Sequence, residues 1–193
     1  FKQPKPLPIN KVAHAMHDLD PAFEAFSHTA KLRTLAKGLG VRVPQIIQSM
    51  YIFKQPRIGG EVIWHVDSTY LYTGALSCTG FWFALEDATM ENGAMWCLRG
   101  AHRMPLKSRF LRRGGKLVTE ILDETPWPDG PRVGLEAAKG TLILLHGQLP
   151  HYSGPNTSDR SRHAYTLHVI DGECRYPTDN WLIRGPELPL RPL

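Results

Sequence analysis

The feature that most constrains the fold is a His-Val-Asp triplet at residues 65–67 together with one histidine far downstream, His151. Side chains two residues apart on extended backbone project from the same face. His151 follows a strand-like run, GTLILLHG, and Pro150. Two imidazoles and one carboxylate form one face of an octahedral metal ion and leave three positions open. A fold that uses them together must bring distant strands side by side.

The rest of the sequence predicts a mainly β fold with flanking helices. After residue 44, short β-branched and aromatic segments alternate with turns that contain Gly, Pro and Asn, which is typical of a sandwich or barrel. Apolar residues recur at helical spacing over residues 11–39, with a break at Asp20-Pro21 that predicts two helices. The predicted strands are 46–54, 79–85, 95–98, 141–145 and 165–170.

Three segments carry no regular pattern. Residues 1–10 are rich in Pro and Lys and predict an extended lead-in. Residues 105–136 combine Pro, Gly and charge, which favours a long loop or lid. The tail, residues 171–193, contains four prolines and predicts a surface wrap. We therefore expect one domain over residues 1–193, with a helical lead-in at 1–40, a core at 44–170 and a tail at 171–193.

Composition narrows the class of protein. Length, 42% hydrophobic residues and 21% charged residues suit one soluble domain with a buried core. No apolar run is long enough to cross a bilayer, and three scattered cysteines favour reduced thiols in the cytoplasm. The chain opens on Phe1, so we expect a preceding segment that is missing here and that can hold a targeting signal. A net charge of +5 fits an anionic ligand. The basic cluster at 107–116 is interpreted as a solvated loop, and the alternative is a contact with a phosphate-bearing substrate.

The residues alone leave alternatives open. His65 beside a capping Asp67 can be a hydrogen-bonded pair, and the same three ligands can hold zinc. A cation shortly after the last ligand favours iron with a dicarboxylate co-substrate, because guanidinium binds carboxylate bidentately. Arg160 and Arg162 both qualify by position, and Asp159 is a rival partner for either.

Four stretches resemble the phytanoyl-CoA dioxygenase family over nine-tenths of the chain. They are QSMYIFKQPRIGGEVIWHVD, WFALEDATMENGAMWCLRGAH, GTLILLHGQLPHYSGPNTSDRSRHAYTLH and DNWL. The resemblance implies a double-stranded β-helix (jelly-roll, cupin-like) core and Fe(II). It also implies oxidative decarboxylation of 2-oxoglutarate by O2 to succinate and CO2, with ascorbate as a supporting reductant.

The resemblance also implies roles for individual residues. Iron ligands fall on His65, Asp67 and His151, and Arg162 joins them as the fourth catalytic residue. Contacts to 2-oxoglutarate fall on Lys11, Met50, Trp82, Ser153 and Arg162. The family match thus selects Arg162 over Arg160 and His151 over His146, which is expected to be buried and hydrogen-bonded.

The family pattern also bears on the reaction and its substrate. Val66 departs from the family's common glutamine between the first two ligands. Asp67 fills the position that related halogenases leave vacant for halide, which favours hydroxylation. The expected substrate is a small or lipid-like molecule, acyl-CoA included, and no nucleic-acid partner is expected. The alternatives are an oxygenase acting on nucleic acid or protein, and a metal-binding jelly-roll module without turnover.

Overall fold

Two antiparallel β-sheets form a jelly roll, as a computed structural model describes for residues 7–193. The strands are β1 (Lys11–His14), β2 (Pro44–Ile52), β3 (Val62–His65), β4 (Thr79–Ala84), β5 (Met95–Leu98), β6 (Ser108–Arg113), β7 (Lys116–Ile121), β8 (Arg132–Leu135), β9 (Leu142–His146), β10 (His151–Ser153), β11 (Ala164–Asp171) and β12 (Arg191–Pro192). The α-helices are α1 (Met16–Leu19), α2 (Pro21–Ser27), α3 (Ala30–Gly38) and α4 (Asp67–Tyr70). The predicted mainly β fold with flanking helices is confirmed.

The larger sheet has the strand order β1-β2-β11-β4-β9, and β12 also pairs with β2. The smaller sheet has the order β3-β10-β5-β8, and β6 and β7 form a separate hairpin. All five strands predicted from the sequence are present, with ends shifted by no more than two residues. Among the described residues, no helix has the length and apolar character needed to span a bilayer.

Alternate residues of the larger sheet serve two different layers. Phe81, Phe83, Tyr165 and Leu167 pack in one core cluster with Leu32 of α3. Their neighbours on the opposite face point into the space between the sheets, because successive side chains of a strand alternate. Met50, Thr166 and Trp82 are direct cross-strand partners there, and Gln48, His168 and Gly80 form the next row. This inner face supplies one wall of the site.

The structure corrects the predicted lead-in. Residues Lys11–His14 form strand β1 rather than the start of a helix, since they pair with β2 in antiparallel register. Three short helices follow instead of two, and Asp20 caps the second by accepting hydrogen bonds from the backbone N–H groups of Ala22 and Phe23. Tertiary pairing has overridden local helical periodicity. Residues 1–6 of the predicted extended segment lie outside the described residues.

The predicted loop and tail are also more ordered than expected. Residues 105–136 contain the β6–β7 hairpin and strand β8 instead of one long loop. The tail does not only wrap the surface: its last residue, Leu193, is fully buried in the core cluster that includes Leu32. Its backbone N–H donates to the carbonyl of Pro44, which places β12 against β2.

Candidate metal centre

Three metal-donor side chains converge where the smaller sheet ends. His65 closes β3 and His151 opens β10, and the two are cross-strand partners. Asp67 was expected on the same extended strand as His65. It lies instead at the first position of α4, and the preceding Val66 has an extended backbone (φ −124°, ψ 140°). One donor atom from each of the three residues lies within 4.8 Å of the others. The structure thus brings together the three residues that the sequence pattern indicated.

Backbone carbonyls fix the orientation of both imidazoles. Nδ1 of His65 lies 2.8 Å from the carbonyl oxygen of Ile63, and Nδ1 of His151 lies 2.9 Å from that of Leu149. A carbonyl oxygen only accepts, so each Nδ1 carries the proton. Each Nε2 therefore has a free lone pair, and these atoms lie 3.9 and 3.7 Å from Oδ1 of Asp67. The donor set is one that binds a divalent transition metal.

Burial and charge keep these groups in the state that binds a metal. Burial, reinforced by the neighbouring His151, lowers the pKa of His65 to about 4. Burial alone raises the pKa of Asp67, but the imidazoles of His168, His151 and His65 together hold it well below its usual range. At neutral pH, His65 is therefore a neutral imidazole and Asp67 an ionised carboxylate. Oδ2 of Asp67 is buried without a hydrogen-bond partner, which marks it as a group that lacks a ligand.

Arg162 is a buried cation on the segment that leads into β11. It is 2% exposed, and one of its amino groups, Nη2, donates to Oγ of Ser153 at 3.2 Å. Its Nε and Nη1 atoms have no hydrogen-bond partner within residues 7–193. Burial lowers the pKa of Arg162 to about 10, so the guanidinium stays charged at neutral pH. A buried cation with unused donors calls for an anion.

The two rivals of this arginine have other surroundings. Asp159 forms a bidentate ion pair with Arg57, with both N–O distances at 2.8 Å. Arg160 is exposed. Glu86 accepts hydrogen bonds from the Ser161 hydroxyl and the backbone N–H of His163, on either side of Arg162. These contacts orient the segment so that, of the two arginines, Arg162 faces inward and Arg160 faces solvent.

One cavity of about 110 Å³ connects the cation to the metal donors. All the residues that the family resemblance implied for co-substrate binding line it: Lys11, Met50, Trp82, Ser153 and Arg162, together with His65, Asp67 and His151. The guanidinium carbon of Arg162 lies 5.4 Å from the centre of the Trp82 ring. The cavity therefore has metal donors at one part of its wall and a cation at another.

Sequence reasoning missed two residues that hold this cavity in shape. Gly80 faces Asp67, and a β-carbon there would lie 3.0 Å from its Oδ2. Lys54 is buried, and its Nζ donates to the carbonyls of Gly60 and Gly154 at 2.8 and 2.5 Å. Its own carbonyl accepts from the backbone N–H of Arg162 at 3.0 Å. Neither a lone glycine nor a lone lysine has a motif that reveals such a role.

Two other histidines lie apart from the three donors. His146, the last residue of β9, is exposed rather than buried, because its strand is at the edge of the larger sheet. It is hydrogen-bonded as expected, since its Nδ1 accepts from the backbone N–H of Gln148 at 3.1 Å. The ring centres of His102 and His146 lie 5.2 Å apart, with the ring planes tilted by 48°. His168, in contrast, lies beside the donors: it is buried, with Nε2 3.4 Å from Oδ1 of Asp67.

Comparison with known proteins identifies the family. The model of the phytanoyl-CoA dioxygenase (PhyH) family matches residues 2–164. Phytanoyl-CoA dioxygenase 1 of Oryza sativa is 49% identical over 195 residues, covering 100% of this chain and 68% of the relative. Phytanoyl-CoA dioxygenase of Arabidopsis thaliana is 47% identical, covering 96% and 65%. Phytanoyl-CoA dioxygenase domain-containing protein 1 of Bos taurus is 43% identical, covering 100% and 68%. The chain spans about two thirds of the length of these relatives.

Solved structures share the fold at low sequence identity. The α-ketoglutarate-dependent carbocyclase SnoK has a TM-score of 0.72 at 22% identity, covering 93% of this chain and 75% of its own. The epimerase SnoN, solved with Fe3+, α-ketoglutarate and nogalamycin RO, has a TM-score of 0.72 at 19% identity, covering 93% and 77%. These likenesses confirm the cupin-like jelly roll. The extent of the family match and the identity to its curated members show that this chain belongs to the phytanoyl-CoA dioxygenase family.

Proposed function

We propose that this protein is an Fe(II)- and 2-oxoglutarate-dependent dioxygenase that hydroxylates a small organic substrate. The reaction would convert 2-oxoglutarate and O2 to succinate and CO2 while one oxygen atom enters the substrate. One observation carries the proposal: a single cavity holds three metal-donor atoms and a buried arginine whose remaining donors have no partner. Membership of a dioxygenase family supports it.

The donor set fits iron. His65, Asp67 and His151 supply two imidazole nitrogens and one carboxylate oxygen, the set found in non-haem Fe(II) oxygenases. A bound Fe(II) would supply the O2 activation that couples decarboxylation to hydroxylation. The chain would contribute ligands in fixed orientation, with the Nδ1–H of each histidine held by a backbone carbonyl.

The opposite part of the cavity fits the distal carboxylate of 2-oxoglutarate. Arg162 offers two unpaired donors, and Ser153 lies beside it with a hydroxyl that donates to the carbonyl of Gly93 at 2.8 Å. Trp82 and Met50 provide apolar walls for the methylene groups, and Lys11 adds positive charge. A cavity needs roughly 10–15 Å³ to hold one water molecule. The 110 Å³ cavity thus has room for a small dicarboxylate.

We propose the cytoplasm as the compartment of the enzyme. Cys78, Cys97 and Cys174 are all free thiols, and the first two are buried. Free buried thiols are typical of a reducing environment.

The test is binding and turnover of 2-oxoglutarate by the purified protein. With Fe(II), ascorbate and 2-oxoglutarate in air, we expect slow release of succinate even without the substrate. Arg162→Met should weaken binding of 2-oxoglutarate about 10- to 100-fold, because a charge-assisted hydrogen-bond pair is lost. Calorimetric titration of 2-oxoglutarate into protein loaded with Mn(II) measures this without turnover.

Arg160→Met is the matched control, since Arg160 is exposed two residues away. We expect it to bind 2-oxoglutarate like the unmodified protein. Asp67→Ala should abolish both metal binding and succinate release. Equal effects of the two arginine variants, or succinate release that survives Asp67→Ala, would contradict the proposed function.

A further inference from the structure

A second cavity, of about 300 Å³, meets two of the three metal-donor residues, His65 and Asp67, and is not lined by Arg162. It also shares Lys11, Met50, Val62 and His168 with the co-substrate cavity but includes neither Trp82 nor Ser153. Its own walls are three aromatic residues and two polar ones: Tyr70, Phe110, Trp181, His14 and Gln48. A molecule in this space would reach the metal position without occupying the space beside Arg162, Ser153 and Trp82.

The aromatic residues form a continuous arc that starts at a metal ligand. The ring of Tyr70 lies 6.1 Å from that of His65 and 5.8 Å from that of Phe110. Trp181 follows at 5.9 Å from Phe110, and His14 at 5.1 Å from Trp181. Ring faces and edges at these spacings bind flat or cyclic apolar groups by dispersion. The arc therefore favours a ring in the ligand over a flexible chain.

The polar groups of the cavity are uncharged apart from those shared with the co-substrate site. Nε2 of Gln48 lies 2.8 Å from Nδ1 of His14, and burial lowers the pKa of His14, so this pair is neutral. His168 is 5% exposed and its Nδ1 has no partner, and the indole Nε1 of Trp181 is also buried without a partner. Such groups suit hydroxyl and carbonyl oxygens.

We infer that this cavity binds the substrate to be hydroxylated, and that the substrate is a compact, uncharged cyclic molecule bearing hydroxyl or carbonyl groups. The inference rests on the proposed function, because it assumes that the shared donors hold iron. It goes beyond that function because it names a class of substrate. It also excludes a coenzyme A thioester, the kind of substrate that the family name implies.

Size and charge argue against a thioester. A volume of 300 Å³ is at the lower end for small-molecule sites, which run from about 300 to 1,000 Å³. Coenzyme A also brings phosphates that need cations. Three of the four basic residues around Phe110 already have acidic partners in the chain: Lys107 with Asp123, Arg109 with Asp179 and Arg113 with Glu120, at 2.6, 2.8 and 2.6 Å. The fourth, Arg112, donates through Nε to the carbonyl of Trp181.

The experiment is a pair of calorimetric titrations on protein loaded with Mn(II), which does not turn over. The first, with 2-oxoglutarate, tests the proposed function alone. The second adds a probe to the protein saturated with 2-oxoglutarate: 2-naphthol, 1-tetralone, the charged analogue 2-naphthoate, or hexadecanoyl-CoA. We expect 2-naphthol and 1-tetralone to bind, and 2-naphthoate and hexadecanoyl-CoA to bind at least about tenfold more weakly.

Phe110→Ala locates the binding. It should weaken binding of the two uncharged probes about tenfold or more and leave 2-oxoglutarate affinity unchanged. Leu117→Ala, at an exposed position on the other strand of the same hairpin, is the matched control and should change neither. If 2-oxoglutarate binds but the uncharged probes show no Phe110-dependent binding, or a charged probe binds as tightly, the inference is overturned while the proposed function stands.

Discussion

Gly80 leaves the space that the carboxylate of Asp67 occupies. It lies on β4 directly opposite His168 on β11, and a β-carbon at this position would meet Oδ2 of Asp67 at 3.0 Å and Cβ of Leu145 at 3.4 Å. Few real β-carbons have contacts this close. His168 approaches the same carboxylate with Nε2 3.4 Å from Oδ1. The orientation of this ligand is therefore set by two residues of the larger sheet.

Gly80→Ala should weaken metal binding while the protein still folds. The added methyl group pushes the Asp67 carboxylate away from the imidazoles of His65 and His151, and disturbing a group that orients a ligand lowers metal affinity about 10- to 100-fold. Titration with Mn(II) measures the affinity, and circular dichroism checks the fold.

Gly185→Ala is the control for the added methyl group. A β-carbon at Gly185 meets nothing within 4 Å, and its φ lies outside the left-handed region. We expect unchanged Mn(II) affinity. An unchanged affinity in Gly80→Ala as well would mean that the carboxylate is not confined by this glycine.

The β6–β7 hairpin, which contributes Phe110 to the proposed substrate cavity, is joined to the C-terminal tail by hydrogen bonds. Arg109 donates to the Asp179 carboxylate at 2.8 Å, and the backbone N–H of Arg112 donates to the Asp179 carbonyl at 2.7 Å. Arg112 also donates through Nε to the carbonyl of Trp181 at 2.9 Å. Phe110 on the hairpin and Trp181 on the tail both line the cavity. Loosening this junction should open the cavity without unfolding the core.

Asp179→Asn tests the junction. The ion pair is partly exposed, so its loss should lower the free energy of unfolding by less than about 1 kcal/mol. Local opening is more sensitive: we expect amide hydrogen exchange in β6, β7 and the tail around Trp181 to accelerate by up to about fivefold. Mass spectrometry of peptic peptides resolves these segments.

Glu120→Gln is the matched variant, because the Arg113–Glu120 pair lies within the hairpin and does not reach the tail. It should leave exchange around Trp181 unchanged. Faster exchange around Trp181 in both variants, or in neither, would contradict the role of the tail as the anchor of the hairpin.

The sequence predicted those strands whose own residues show a clear local pattern. The strands with continuous β-branched and aromatic runs, such as β4 and β11, were found almost to the residue. Strand β1 was taken for helix because its only partner is β2, which is a non-local pairing. The hairpin did have a local signature, Gly114-Gly115, both with positive φ (57° and 78°), between two alternating segments.

The proposed metal donors and Arg162 could be predicted because the proposed chemistry demands particular residue types at particular places. The contacts of two residues around them, Gly80 and Lys54, were not predicted. Those contacts depend on which strands become neighbours, and the cross-strand register of β4 with β11 is not written in either segment alone. Resemblance to a family therefore predicts which residues are candidate metal ligands more readily than it predicts the packing contacts that orient them.

At the scale of the whole molecule, one buried polar network joins the N-terminal helices, the larger sheet and the tail. His17 of α1 is fully buried, and its Nδ1 lies 2.8 Å from Oγ of Ser49 on β2. Its Nε2 lies 3.1 Å from the carboxylate of Asp18, which also binds Arg184 and Arg191 of the tail. This network adds polar contacts to the strand pairings that hold both ends of the described chain to the sheet.

Protonation of His17 should therefore govern part of the acid stability. Burial, followed by Arg184, lowers the pKa of His17 from 6.5 to about 4, although Asp18 opposes the shift. In the unfolded chain, His17 takes up a proton as the pH falls below about 6.5. In the folded chain, His17 stays unprotonated until the pH reaches about 4. The unfolded state thus binds more protons in this window, and the free energy of unfolding falls as pH falls through it.

His17→Gln isolates this contribution, because glutamine keeps a polar partner for Ser49 but does not titrate. Between about pH 7 and about pH 5, the loss of unfolding free energy should be smaller in this variant than in the unmodified protein, by on the order of 1 to 2 kcal/mol. Urea unfolding of metal-free protein at both pH values measures the difference. His102→Gln, outside this network, should keep the full pH dependence. If His17→Gln also keeps the full pH dependence, the acid sensitivity originates in other titrating groups. The metal centre is one such source, because both variants leave its titrating groups unchanged.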